Sequence, residues 1–199
     1  YEDLTNRVAL YKPVTVTSVN GPQVTVIQGM WDAVTTNGPG AVRCAWVTNG
    51  ATLSGFTLTR GATRAAIDSL TGSGGGVWCT DIYGAVVANC LVLTNSAYRS
   101  GGGSSRGFLI NCAIQGNFVT AGSGGGAIGG KLVNCTVTGN SAASIGGGQQ
   151  DATLTNCIVY HNNVAASAFS YYADNGGGSL VYSCSPRATW RTAGPGSRL

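Results

Sequence analysis

Few side chains in this sequence have types and spacings that could do chemistry. The acids are Glu2, Asp3, Asp32, Asp68, Asp81, Asp151 and Asp174, and His161 is the single histidine. Glycoside hydrolysis normally needs two carboxylates about 5–10 Å apart across the scissile bond. Glu2 and Asp3 sit together at the start, and the other acids are isolated in different stretches. A calcium-dependent lyase needs several acidic ligands and a basic proton acceptor, and no such cluster is visible. Asp81 and Asp151 read as lone solvated carboxylates. His161 precedes Asn162 at an expected bend, with no nucleophile or orienting acid to assign to it. The cysteines include no Cys-x-x-Cys pair, which argues against a metal centre. No cofactor is expected, and the pattern points away from an enzyme.

The cysteines instead keep a beat. Asn-Cys-x-(Val/Ile)-x-x-Asn begins at Asn89, Asn111, Asn134 and Asn156. Its cysteines, Cys90, Cys112, Cys135 and Cys157, are 22, 23 and 22 residues apart. Glycine triplets starting at Gly101, Gly124 and Gly146 keep the same interval. Self-similarity at a short fixed period means a stacked repeat. The units are Gly, Ser, Thr, Asn and Val, with almost nothing that would make a helical turn. The expected fold is therefore all-β, a right-handed parallel β-helix, rather than a leucine-rich repeat.

Each turn should be two or three short strands, with successive turns paired in parallel about 4.8 Å apart. Cys90, Cys112, Cys135 and Cys157 should then form one buried column. Asn95, Asn117, Asn140 and Asn162 should form another at a bend, with amides bonded from turn to turn. Roughly eight to nine coils would make a rod on the order of 40 Å long.

Neighbouring cysteines in such a column come within reach in Cα distance, but their parallel Cβ vectors disfavour a disulfide. They read as buried thiols acting as small hydrophobes. A longer repeat aligns Gly40–Cys44 with Gly75–Cys79, and Phe56 with Cys90. Cys44 and Cys79 then form a second, two-member column and are one candidate for a disulfide.

Residues 1–184 read as one β-helix domain, with loop insertions near 30–40, 62–73 and 163–175. Residues 185–199 read as a C-terminal cap or tail. Only 9% of residues are charged, against about 25% in typical domains. The 43% apolar content excludes a disordered chain. The eleven Lys and Arg residues are scattered, so no nucleic-acid partner is expected. No run approaches the ~20 apolar residues of a membrane span, so no membrane insertion is expected.

The units resemble the right-handed parallel β-helix superfamily. Gly125-Gly126-Ala127-Ile128 followed by Val137-Thr138-Gly139-Asn140 is similar to the paired motifs of polymorphic outer-membrane protein repeats and of bacterial surface β-helix proteins. This chain has Val or Ile where Phe is usual in those motifs. The resemblance implies a secreted bacterial protein, extracellular or on the cell surface, with a structural or adhesive role.

Three other features bear on partners. The aromatic stretch Phe169, Tyr171 and Tyr172 with Asp174, and the Trp31 loop, could stack on sugar rings of glycans or cell-surface receptors. Thr-x-Thr pairs such as Thr136/Thr138 hint at an ice-binding face, but Leu91/Leu93, Ala113/Gln115 and Ile158/Tyr160 interrupt the array. A β-helix also ends in unpaired strand edges. A longer rod, caps from residues 1–12 and 185–199, or end-to-end self-association would each satisfy them.

Overall fold

The alternation Thr-Leu-Thr or Ala-Ile-Gln puts one apolar side chain inward per three-residue strand, so a chain of such strands can bury its core only by coiling. The computed structural model, which describes residues 4–165 and 173–185, has this form. Its strands make four sheets in which every strand pairing is parallel. The fold is a parallel β-helix.

The first sheet contains Thr5–Leu10, Val42–Val47, Val77–Cys79, Ser104–Ser105, Ala127–Ile128 and Gln149–Gln150. The second contains Thr15–Thr17, Thr52–Ser54, Val86–Ala88, Phe108–Ile110, Lys131–Val133, Thr153–Thr155 and Ser179–Val181. The third runs from Val26–Gln28 through Thr57–Thr59, Leu91–Leu93, Ala113–Gln115 and Thr136–Thr138 to Ile158–Tyr160. The fourth holds Ser96–Ala97, Phe118–Val119, Ser141–Ala142 and Asn163–Val164. A regular coil thus carries four strands rather than the expected two or three. The extra one is the two-residue strand after the ladder asparagine.

Seven strands in the second sheet set the number of described coils, fewer than the eight to nine expected. Thr15 pairs with Thr52 and Thr52 with Val86, so the first coils are much longer than the later ones. Long insertions use up the chain that a uniform period would have spent on further coils.

Two columns of fully or nearly buried side chains fill the interior. Leu53, Val87, Leu109, Leu132, Leu154 and Leu180 stack in the second sheet. Ile27, Leu58, Val92, Ile114, Val137 and Val159 stack in the third. Burying each is worth about 1.5–3 kcal/mol. Between these sheets the chain turns at Asn89, Asn111, Asn134 and Asn156, all with φ of 52–54°. Asparagine tolerates this left-handed region better than most residues. The same four amides form an outer ladder, each of the later three donating to the Oδ1 one coil before.

The insertions dock on the regular body. The 30–40 loop is closed by antiparallel bridges Met30–Val42 and Asp32–Thr36. Buried Asn37 pins it, donating to Thr63 and accepting from the hydroxyls of Ser96 and Thr120. The 62–73 insertion carries a single-turn helix, α1 (Ser69–Gly72), capped by Asp68.

Candidate functional site

The described acids are mostly committed to main-chain amides. Asp32 accepts from the amides of Val34, Thr35 and Gly40. Those bonds, Gly40 first, lower its pKa from 3.8 to about 2. Asp68 accepts from Leu70, from Thr71 and from the Thr71 hydroxyl, which holds its pKa below the ordinary value. Asp81 closes a turn through Tyr83 and Gly84, with the same lowering. His161 has φ 57° and packs its ring edge-on against Tyr160. Among the described residues no three His, Cys, Asp or Glu side chains gather as metal ligands.

Asp174, expected as a loop contact for sugar, instead takes the next rung of the inner asparagine ladder. Asn95, Asn117 and Asn140 each donate from the main-chain N–H and from Nδ2 to the Oδ1 one coil on, at 2.9–3.0 Å. Asn162 makes the same two bonds to Asp174 Oδ1, at 2.8 Å. Each Nδ2 also donates to a main-chain carbonyl inside the coil, Leu58, Val92, Ile114 or Val137. The glycine triplets lie against this ladder. A Cβ on Gly103 would stand 2.5 Å from the Gly126 carbonyl and 3.0 Å from Asn117 Nδ2, so only glycine lets the coils close there.

The cysteine column is present and continues upstream into Phe56, as the register requires. The sulfurs of Cys90, Cys112, Cys135 and Cys157 contact main-chain carbonyls two residues earlier. Contact with the Cys135 sulfur pushes the Cys112 and Cys157 thiols up, followed at Cys112 by contact with Cys90 and at both by burial. At the far end Ser183, not Cys184, occupies the column, its hydroxyl donating to the Val181 carbonyl and accepting from the Cys157 amide.

The expected pairing of Cys44 with Cys79 is corrected by the register. Val47, not Cys44, lies beside Cys79. Three residues of offset put the two Cα atoms about 10 Å apart along the strand, beyond disulfide reach. Both are free buried thiols, and burial pushes each up to about 12.

Trp31 is packed rather than free. Its ring meets Phe118 edge-on at 5.7 Å, and the Arg60 guanidinium lies over it. It also packs against the buried cluster of Leu4, Ala41 and Ala62. Phe169, Tyr171 and Tyr172 lie outside the described residues.

What the sequence reading missed lies on the outer face of the first sheet. Trp46 stacks on Trp78 at 4.2 Å, and Tyr11 adjoins Trp46 at 6.4 Å. The Trp78 Nε1 donates to the Ser69 carbonyl, fastening α1 over its ring. A cavity of 250 Å³ opens on one side of α1, with Tyr11, Trp46, Asn6 and Arg43 in its wall. Arg43 is 1% exposed. It donates to the carbonyls of Gly74, Leu70 and Ser73 and to Asn6 Oδ1, none of them a carboxylate. Burial pushes its pKa down to about 9. The signal was present: aligning Trp46 with Trp78, instead of Cys44 with Cys79, gives the observed register.

No family model matches the chain, and no curated protein or solved structure matches it either.

Proposed function

We propose that this chain is a non-catalytic β-helix repeat domain that works outside the cell as a structural or adhesive surface scaffold, able to associate end to end. One observation carries the reading. Among the described residues, Thr15–Thr17 and Val26–Gln28 are each paired on one side only, and around them Val14, Val19, Val24 and Val26 are exposed. Such an edge templates further strand pairing. The engagement of Asp32, Asp68, Asp81 and Asp174 in caps and ladder supports a scaffold over a carboxylate-based enzyme. The motif likeness to bacterial surface repeats supports the location.

Electron microscopy and sedimentation over a range of concentrations test it. Rods that lengthen with concentration, and that revert to single units when Val26 is replaced by Lys, are expected. Single rods at every concentration would overturn end-to-end association.

A second reading, polysaccharide binding, is favoured by the Tyr11–Trp46 wall above Arg43. An aromatic face beside a buried cation suits a sugar ring carrying polar or acidic groups. Tyr11→Ala should then abolish retention on immobilised acidic polysaccharide without altering the fold; unchanged retention counts against this reading.

A further inference from the structure

A second hollow lies on the other side of α1, away from Tyr11 and Trp46. It encloses 190 Å³, and its lining includes Ser69, Ser73, Arg99, Ser100, Ser105 and Arg106. This is smaller than a pocket for a whole drug-sized ligand and suits one charged group. Two arginines line it, each fixed by its main chain. The Arg99 amide donates to Gly72 and its carbonyl accepts from Ser123. The Arg106 amide donates to Ile128, and its guanidinium sits 6.0 Å from the Trp78 ring.

The floor carries an independent sign of a missing partner. Ser73 is 1% exposed, and its hydroxyl has no hydrogen-bond partner among the described residues. Buried hydroxyls are ordinarily satisfied. Ser73 is bridged to Ser100 on the next coil, so two serines line the cleft in register. The nearby acids are engaged elsewhere: Asp68 caps α1, and Asp81, which feels the Arg106 charge, closes its own turn.

We propose that this cleft binds a tetrahedral oxyanion, a sulfate or phosphate group, held by the guanidinium groups of Arg99 and Arg106 and by the hydroxyl of Ser73. Guanidinium forks match such oxygens in geometry and charge, and the serine supplies a neutral donor from below. The group can come as a free ion or as an ester on a polysaccharide. An oxyanion held here is independent of any scaffold role of the rod.

Amide NMR titration of the full chain with inorganic sulfate and inorganic phosphate, against chloride at equal ionic strength, tests the proposal. Saturable shifts are expected at Ser73, Ser100 and Ser105. Arg99→Gln and Arg106→Gln should each weaken binding roughly tenfold or more. Ser73→Ala should weaken binding while leaving unfolding unchanged, because the hydroxyl has no internal partner to lose. Responses matching chloride, or binding retained in the double arginine variant, would overturn it. Dextran sulfate then separates the sources. Tighter binding per sulfate than the free ion assigns the site to a polymer-borne ester, and equal binding assigns it to the free ion.

Discussion

Two halves of this β-helix handle the same problem differently. From Gly74 to Val164 each coil repeats the one before, and Asn meets Asn while Gly meets Gly. Polar groups are satisfied by translation along the axis, so one solution serves every coil. From Leu4 to Ser73 the coils are longer and nothing repeats strictly. There Phe56 fills the cysteine position, and the Gly61 amide and Cys44 thiol donate to Asn95 Oδ1 to finish the ladder. Arg43 satisfies three carbonyls that no repeat reaches. Regularity makes the rod, and the irregular α1 laid against it makes the two arginine-lined hollows.

The largest test of that contrast is a break in the middle of the ladder. Asn117 accepts twice from Asn95 and donates to Val92 and Asn140. Asn117→Ala leaves several buried groups unpaired and should cost about 3–5 kcal/mol in urea unfolding, with the whole transition shifted. The matching substitution in the irregular half is Asn37→Ala. Its partners are mainly hydroxyls, which can rotate to other acceptors, so about 1–2 kcal/mol is expected. Hydrogen exchange should quicken in the 30–40 loop alone. Equal, global losses from both would remove the distinction.

A smaller effect of opposite sign tests strain at the bend before the ladder. Thr94, Gly116, Gly139 and His161 hold φ of 50–65° there. Glycine is at ease in this region and a β-branched residue is not. Thr94→Gly should therefore raise stability by about 0.5–1 kcal/mol, although it loses the Thr59 hydroxyl contact. A loss instead would mean that this contact outweighs the strain.

The regular half was legible in the sequence because each structural demand recurs at a fixed interval. Asn140 and Cys135 announce their roles by being repeated in neighbouring coils. In the irregular half a demand occurs once, so letters mislead. Gly40–Cys44 matches Gly75–Cys79 by eye, yet Ala45 pairs with Val77, because the strand Val42–Val47 runs three residues further before it meets its neighbour. Asp174 looked like a loop acid because the ladder it completes is reached across an insertion rather than at the usual interval. Ser73 lies far enough from Arg99 and Arg106 in sequence that only stacking brings them together.

Acid sharpens the same comparison most gently. Of the three carboxylates with lowered pKa, Asp32 and Asp68 lie in the irregular half, and Asp81 sits in the turn that leads into Val86–Ala88. For Asp32 the folded value is about 2 against an ordinary 3.8. The folded state therefore binds fewer protons than the unfolded chain between those values. The stability it contributes is complete above the ordinary value and is lost as pH falls through the folded one. Titration followed at the Asp32 carboxyl carbon should show a midpoint near 2, and Asp32→Asn should make the acid limb of unfolding shallower. Over the same interval, exchange should rise first in the 30–40 loop and around α1 while the inner ladder from Asn95 to Asn140 stays protected, since its rungs are amides that do not titrate. A midpoint at the ordinary value, or ladder amides that open together with the loops, would mean that the insertions and the regular coils unfold as one unit.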